Sequence, residues 1–274
     1  MLKSKVIALA NQKGGVGKTT TTVNLGAALT RQGKKVLLVD ADPQASLTIS
    51  LGYKKPKELP LTLTEAMLSV LDEREVNFKD FVLNHAEGFD FIPANINLSG
   101  MESRLLNTII NRDGIIKTVI KTLKQDYDYV LIDSMPSLGM LTINTLAAAD
   151  SVIIPSQPHF LSAKGLDLLL QTITSVKQYI NQNLVINGIL LTMVDARAQF
   201  TKDVINMLRN SYSGKIMVFK NEIPLSVRAV ETSSTGMSIF THDKNSKVAI
   251  AYFNLSKEVT SIENPVKFRN DSVR

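Results

Sequence analysis

Between Lys13 and Thr20 the chain reads KGGVGKTT, three glycines and two lysines packed into a segment that ends in paired hydroxyls. Glycines at 14, 15 and 17 let backbone N–H groups converge on a phosphate chain, and a helix that starts there adds the partial positive charge of its N-terminus. In that geometry Lys18 meets the β- and γ-phosphates and the Thr19 hydroxyl ligates magnesium. The spacing is a variant one, because the first glycine of the usual G-x-x-x-x-G-K-[ST] pattern would fall at Gln12. Lys13 is the second departure: it stands five residues upstream of Lys18, where an ordinary phosphate loop needs no cation.

Acids accompany the loop. KVLLVD ends at Asp40 and runs on as ADPQ, which supplies Asp42; YVLID ends at Asp133 and runs on as SMPSLG. A lone Asp after an apolar run is commonly a turn or cap residue. Three of them beside one phosphate loop favour function, since parallel strands gather ligands at their carboxyl ends. Asp133 fits an acid that holds a metal ion or its waters.

The elements that must position these groups follow from the apolar pattern. Val6 to Ala10 predicts a strand, and Lys18 to Gln32 a helix with Gly33 at the stop position, so the loop has the strand–loop–helix setting it requires. Further strands are predicted at 35–40, 89–93, 129–133, 151–155, 184–192 and 215–219, and helices at 62–71, 113–125 and 161–179. Residues 52–61, with two prolines and three lysines, read as an exposed connection. Short β-branched runs alternating with longer helices predict an α/β fold: a mostly parallel, twisted sheet with helices on both faces. Residues 1–260 are expected to form one domain, and residues 261–274 a short C-terminal tail.

Composition narrows the classes. The 274 residues contain no cysteine, which excludes disulfides, thiolate metal sites and an iron–sulfur cluster. His85, His159 and His242 are scattered without metal-ligand spacing. The N-terminus has too short an apolar run for a secretory signal, and no stretch approaches a membrane span, so a cytoplasmic location is expected. A net charge of +6 is compatible with nucleic-acid binding and equally with a merely basic protein.

The segments ANQKGGVGKTT, VDADPQ and LIDSMPSLG resemble the motifs of the ParA family of chromosome and plasmid partition ATPases, which carry a deviant Walker A P-loop, and the likeness runs from Lys5 to about Val259. The resemblance implies ATP and Mg2+ as cofactors, with nucleotide held by Lys13, Gly14, Gly15, Val16, Gly17, Lys18, Thr19 and Thr20. It further implies an ATP-dependent homodimer in which Lys13 reaches the phosphates bound by the partner subunit. Asp42 would position the attacking water, Asp40 support the magnesium shell, and Thr19 and Asp133 hold the metal.

TMVDARAQF and IPLSVRAVE are similar to family segments that carry DNA-binding arginines, here Arg197 and Arg228, and Pro224 and Ser226 match a segment that lies against adenine. Ser226 stands where asparagine is commoner, and Met135 where a proline is. Partners implied are non-specific double-stranded DNA and a ParB-type centromere-binding protein that stimulates hydrolysis, placing the protein on the nucleoid. The chain starts almost at its first strand, so the N-terminal helix-turn-helix of larger ParA proteins is not expected. A MinD-like membrane-cycling ATPase is the main competitor. The tail NPVKFRNDSVR, with an early proline and three apolar residues, offers no insertion face for that role. A metabolic ligase or small-molecule kinase on the same scaffold, and a binder that uses ATP only to dimerise, are the other two readings.

Overall fold

The computed structural model describes residues 4–263. One sheet organises them, in the order β3-β4-β2-β5-β1-β6-β7. Its longer strands are β1 (Lys5–Leu9), β2 (Val36–Ala41), β5 (Tyr129–Ser134), β6 (Ser151–Ser156) and, at one edge, β7 (Val185–Leu191), all parallel; at the other edge a short hairpin of β3 (Leu83–Asn84) and β4 (Asp90–Ile92) supplies the antiparallel pairing.

These strands are continuously apolar because both faces are covered, and alternate residues go to opposite layers. Ile7, Leu9, Leu38 and Leu131 pack under α1 (Lys18–Arg31), α10 (Ile239–His242) and α11 (Lys247–Glu263). Val6, Leu37, Val39, Val130 and Ile132 point the other way, onto α3 (Leu63–Leu71), α4 (Ser99–Leu106), α5 (Ile115–Leu123) and α6 (Met140–Ala148). On that same face Ala8, Val152 and Ile154 meet α7 (Phe160–Tyr179), with α8 (Gln199–Tyr212) beyond it.

Most sequence expectations are met to within a few residues. Thr62 caps α3 in a capping box with Glu65, its side chain accepting from Thr64 N at 3.2 Å and its backbone N–H donating to Glu65 at 2.9 Å. Gly33 takes a left-handed φ of 78° just past α1, which ends that helix. The strand expected at 215–219 does not form. Lys215 and Ile216 bond back to Tyr212 in a turn, and only one bridge, Ile189 to Val218, joins the segment to β7. The reason lies at Gly188, where β7 bulges against β6 and Phe219 packs so closely that a Cβ on Gly188 would press on Met217 O at 2.8 Å.

The short α2 (Ser46–Ser50) after Asp42, and α9 (Val227–Thr235), had no periodic signal of their own; here they form the walls of the ligand side. They meet at a close approach of two glycines. Gly236, which ends α9 at a φ of 76°, lies so near Gly52, just past α2, that a Cβ on Gly236 would stand 2.9 Å from Gly52 Cα. The tail from residue 264 lies outside the described residues, and α11 continues to Glu263. No helix among the described residues is long and apolar enough to cross a membrane.

Candidate functional site: a phosphate crevice at the carboxyl end of the sheet

The loop leaves β1 at the centre of the sheet and enters α1 at Lys18. Gly15 and Gly17 hold left-handed φ angles of 70° and 82°, which a side chain would strain, and this turns the loop back over the helix start. α1 begins with no side-chain cap and no acid in its first turn, so its N-terminal N–H groups and partial positive charge remain available to an anion.

Three neighbours brace the loop. Asn11 Nδ2 donates to Pro155 O at 2.7 Å while its Oδ1 accepts from Lys13 N; Thr192 Oγ1 donates to Val16 O at 2.8 Å; Gln157 Nε2 donates to Gly15 O at 3.0 Å. Gln157 also approaches the sulfur of Met193, a residue held at a φ of 53° against Gly17.

Lys18 is turned inward and only 7% exposed, its Nζ donating to the carbonyls of Asn11 at 3.0 Å and Lys13 at 3.2 Å. Burial lowers its pKa, against the opposing pull of Asp133 and Asp42. Thr19 Oγ1 donates to Asp133 Oδ2 at 2.6 Å. Asp133 sits opposite Asp40 in the β2–β5 register, and burial, with that neighbouring carboxylate, pushes it up to about 8 despite the Thr19 bond and Lys18. A desolvated ammonium and a desolvated acid thus flank a helix start, an arrangement that a bound cation and polyanion would complete.

Asp42 lines the crevice, one oxygen accepting from Gln44 N at 2.9 Å. Asp40 does not. Its Oδ2 accepts from Thr48 N at 2.8 Å and Thr48 Oγ1 at 2.7 Å, its Oδ1 from Asp42 N at 3.3 Å, and Thr48 Oγ1 in turn accepts from Ala94 N at 2.9 Å. Burial pushes Asp40 up to about 7 even with these bonds. Its carboxylate therefore ties β2 to α2 and to the end of β4, and bears on the crevice by fixing the Asp42 segment.

The crevice holds about 510 Å³ between the loop, Asp42, Gln44, the α2 residues Ser46 and Ser50, and Ser233 of α9. A second, apolar cavity of about 70 Å³ adjoins it, lined by Gly17, Thr20, Met193, Pro224, Ser226 and Tyr252 among others. Pro224 reaches this place because Ile223–Leu225 runs beside β7's extension, with Ile223 N bonded to Leu191 O at 2.8 Å and Leu225 N to Val194 O at 3.1 Å.

Lys13, the other loop lysine, is exposed, and no carboxylate pairs with it among the described residues. Arg197 and Arg228 are apart from the crevice and exposed, each paired with a carboxylate, Asp195 at 3.2 Å and Asp243 respectively. Sequence reasoning missed Thr48, Gln157, Thr192, Met193 and Ser233 as parts of the site. Thr192 and Met193 open the segment 192–200 that carries Arg197, so the loop bearing that arginine also touches the phosphate loop.

A fold that brings a helix start, a buried ammonium and a buried acid to one point, at the end of a central parallel strand, is that of the P-loop nucleotide-binding proteins. Comparison with known proteins narrows the class. A family model described as "AAA domain" matches residues 4–186. The sporulation initiation inhibitor protein Soj of Bacillus subtilis is 43% identical over 257 residues, which is 94% of this chain and 98% of that protein. The chromosome partitioning protein ParA of Myxococcus xanthus is 39% identical over 95% of this chain and 89% of its own length. Among solved structures, a Mycobacterium smegmatis protein described as cobyrinic acid a,c-diamide synthase with bound ATP analog and magnesium superposes with a TM-score of 0.81 at 38% identity, covering 94% of this chain and 95% of that one. The chain belongs to the ParA/Soj family of P-loop ATPases.

Proposed function

We propose that this partition ATPase binds Mg–ATP, dimerises around it, holds DNA non-specifically as the dimer, and lets go after hydrolysis stimulated by a ParB-type partner. The observation that carries the reading is the division of labour between two lysines on one loop: Lys18 is buried against the carbonyls of its own loop, while Lys13 is exposed with no carboxylate paired to it among the described residues. A cation so placed is suited to the phosphates of a facing subunit, whose negative charges would otherwise repel those of the first.

Within one subunit, Lys18 and the free N–H groups of α1 bind and orient the phosphates. Thr19 and Asp133 fit magnesium, which demands oxygen ligands and keeps several waters, and which would neutralise charge developing between the β- and γ-phosphates. Asp42, on the crevice wall, orients the attacking water. The apolar cavity beside Thr20 suits the base, with Pro224 and Ser226 along its wall.

Lys13→Ala is expected to weaken ATP-dependent dimerisation at least about tenfold, the worth of one charge-assisted contact. Sedimentation with Mg–ATP measures it, and a normal dimer in the variant would sink the cross-subunit role. Arg228→Glu should leave the dimer intact and reduce retention on random-sequence DNA about tenfold, with a shallower salt dependence, because phosphate contacts set both. Filter binding across a salt series decides, and unchanged retention would remove Arg228 from the DNA surface.

The reading places the protein on the nucleoid in the cytoplasm. Pelleting with liposomes but not with DNA would instead favour a MinD-like membrane cycle. The tail on which that comparison turned lies outside the described residues. A ligase that activates an acid substrate has less support, since Lys18 is the only basic residue lining the crevice among the described residues.

A further inference from the structure

We infer that Glu102, on α4 and outside the crevice, is a positioning residue for hydrolysis: it clamps the start of α6 and thereby fixes the loop that follows Asp133 and brings Pro136 to the crevice wall. α6 begins with Gly139 as its N-cap, no side-chain cap of its own and no acid in its first turn. Its first two N–H groups are satisfied from another helix. Met140 N donates to Glu102 Oε1 at 2.6 Å and Leu141 N to Glu102 Oε2 at 2.9 Å. A carboxylate accepting two amides at a helix start gains from both the charge-assisted bonds and the helix dipole.

The space is made for it. A Cβ on Gly139 would overlap Glu102 Oε1, so glycine is required there by the clamp, although Gly139 has an ordinary negative φ of −78°. Glu102 in turn is set by α4, which buries Met101 and Leu105 against the sheet.

The clamped segment is short and functional. Ser134, next to Asp133, donates from Oγ to Leu9 O at 2.8 Å, tying the loop's near end to β1. Pro136 lines the crevice, and Ser137 O accepts from Thr142 Oγ1 of α6 at 2.9 Å. Residues 135–139 therefore span two anchors, the strand end and the Glu102 clamp. A local Ser or Asp cap would satisfy the same N–H groups without tying the loop to α4. The clamp does not touch the α1 phosphate loop, and Asp133 is held in β5 between β1 and β2, so loss of the clamp should affect the placement of Pro136 and its neighbours in 135–139 and spare nucleotide binding.

The proposal rests on the reading of this crevice as the site of ATP hydrolysis. ATP turnover per bound nucleotide at saturating Mg–ATP, and affinity for a fluorescent ATP analogue, test it in the full chain. Glu102→Ala and Gly139→Ala should each lower kcat about tenfold, as a misplacement of roughly an ångström at a reacting centre does. Analogue affinity should stay within about twofold in both, a loss of at most ~0.4 kcal/mol. Glu102→Gln, which keeps one acceptor, should recover part of the loss.

The double variant decides whether the residues act through one contact. With the Glu102 carboxylate gone, the methyl group that Gly139→Ala adds meets no clash, so the double should be no slower than about twice the slower single. Unchanged kcat in the singles, equal losses in affinity and kcat, or multiplying losses in the double would overturn the clamp. Asp133→Asn separates the underlying reading. If that variant keeps full turnover, the reading of the crevice as the hydrolysis site falls and the clamp with it; if it is inactive while both singles are normal, the clamp alone fails.

Discussion

Lys18→Ala is expected to weaken Mg–ATP binding at least about 100-fold, because two charge-assisted bonds to phosphate, each worth roughly 1.5–3 kcal/mol, vanish together. The nucleotide-free protein should respond in the opposite sense. Its Nζ is buried and spends its hydrogen bonds on two backbone carbonyls, and burial already disfavours its charge. Removing it lifts a desolvation cost while water in the open crevice can take over the carbonyls. The variant should thus melt no lower than the parent without ligand and lack the upward shift in Tm expected of the parent with Mg–ATP, a shift worth about 2.7 kcal/mol at a hundredfold excess over Kd. A parental ligand-induced shift would show that the loop does not work through this amine.

Asp42→Ala should behave differently: turnover falls about 100-fold, while Mg–ATP binding and ATP-dependent assembly persist. Asp42 touches the crevice, yet the Asp42 segment is held by Asp40 and Thr48, so the side chain can be removed without releasing the backbone. Single-turnover hydrolysis alongside sedimentation is the appropriate pair of measurements. Parallel loss of assembly and turnover would assign Asp42 a structural role in its place.

The local parts of this site were legible in the chain because local chemistry encodes them. Glycines at 15 and 17 announce their left-handed backbone, and a lysine and hydroxyl at the first turn of α1 announce a phosphate. The parallel sheet was legible too, since buried strands read as unbroken apolar runs. What escaped depends on tertiary contacts. Asp40 reads as a crevice acid, whereas in the fold its carboxylate accepts from Thr48 N and Oγ1 and from Asp42 N. The apolar segment near Phe219 has the composition of a strand, but the bulge at Gly188 leaves it a single bridge. Glu102 carries no sequence signal for its role, because the helix it caps starts 38 residues later.

The two facing glycines beyond α2 and α9 bear on how chemistry and grip are geared together. With no side chain between Gly52 and Gly236, the two backbones meet without slack, so neither can advance toward the other. α9 carries Arg228 near its start and Ser233 on the crevice wall, while the opposing strut leads back to Asp42. Under the function proposed above, a shift of the Asp42 strut toward α9 when a phosphate departs would pass through this contact to the Arg228 lever, and letting go of DNA would be the exhaust stroke of the same machine. Hydrogen exchange should accordingly speed up in residues 46–53 and 227–236 together on passing from the ATP to the ADP state; independent rates in the two segments would show that the gears do not mesh.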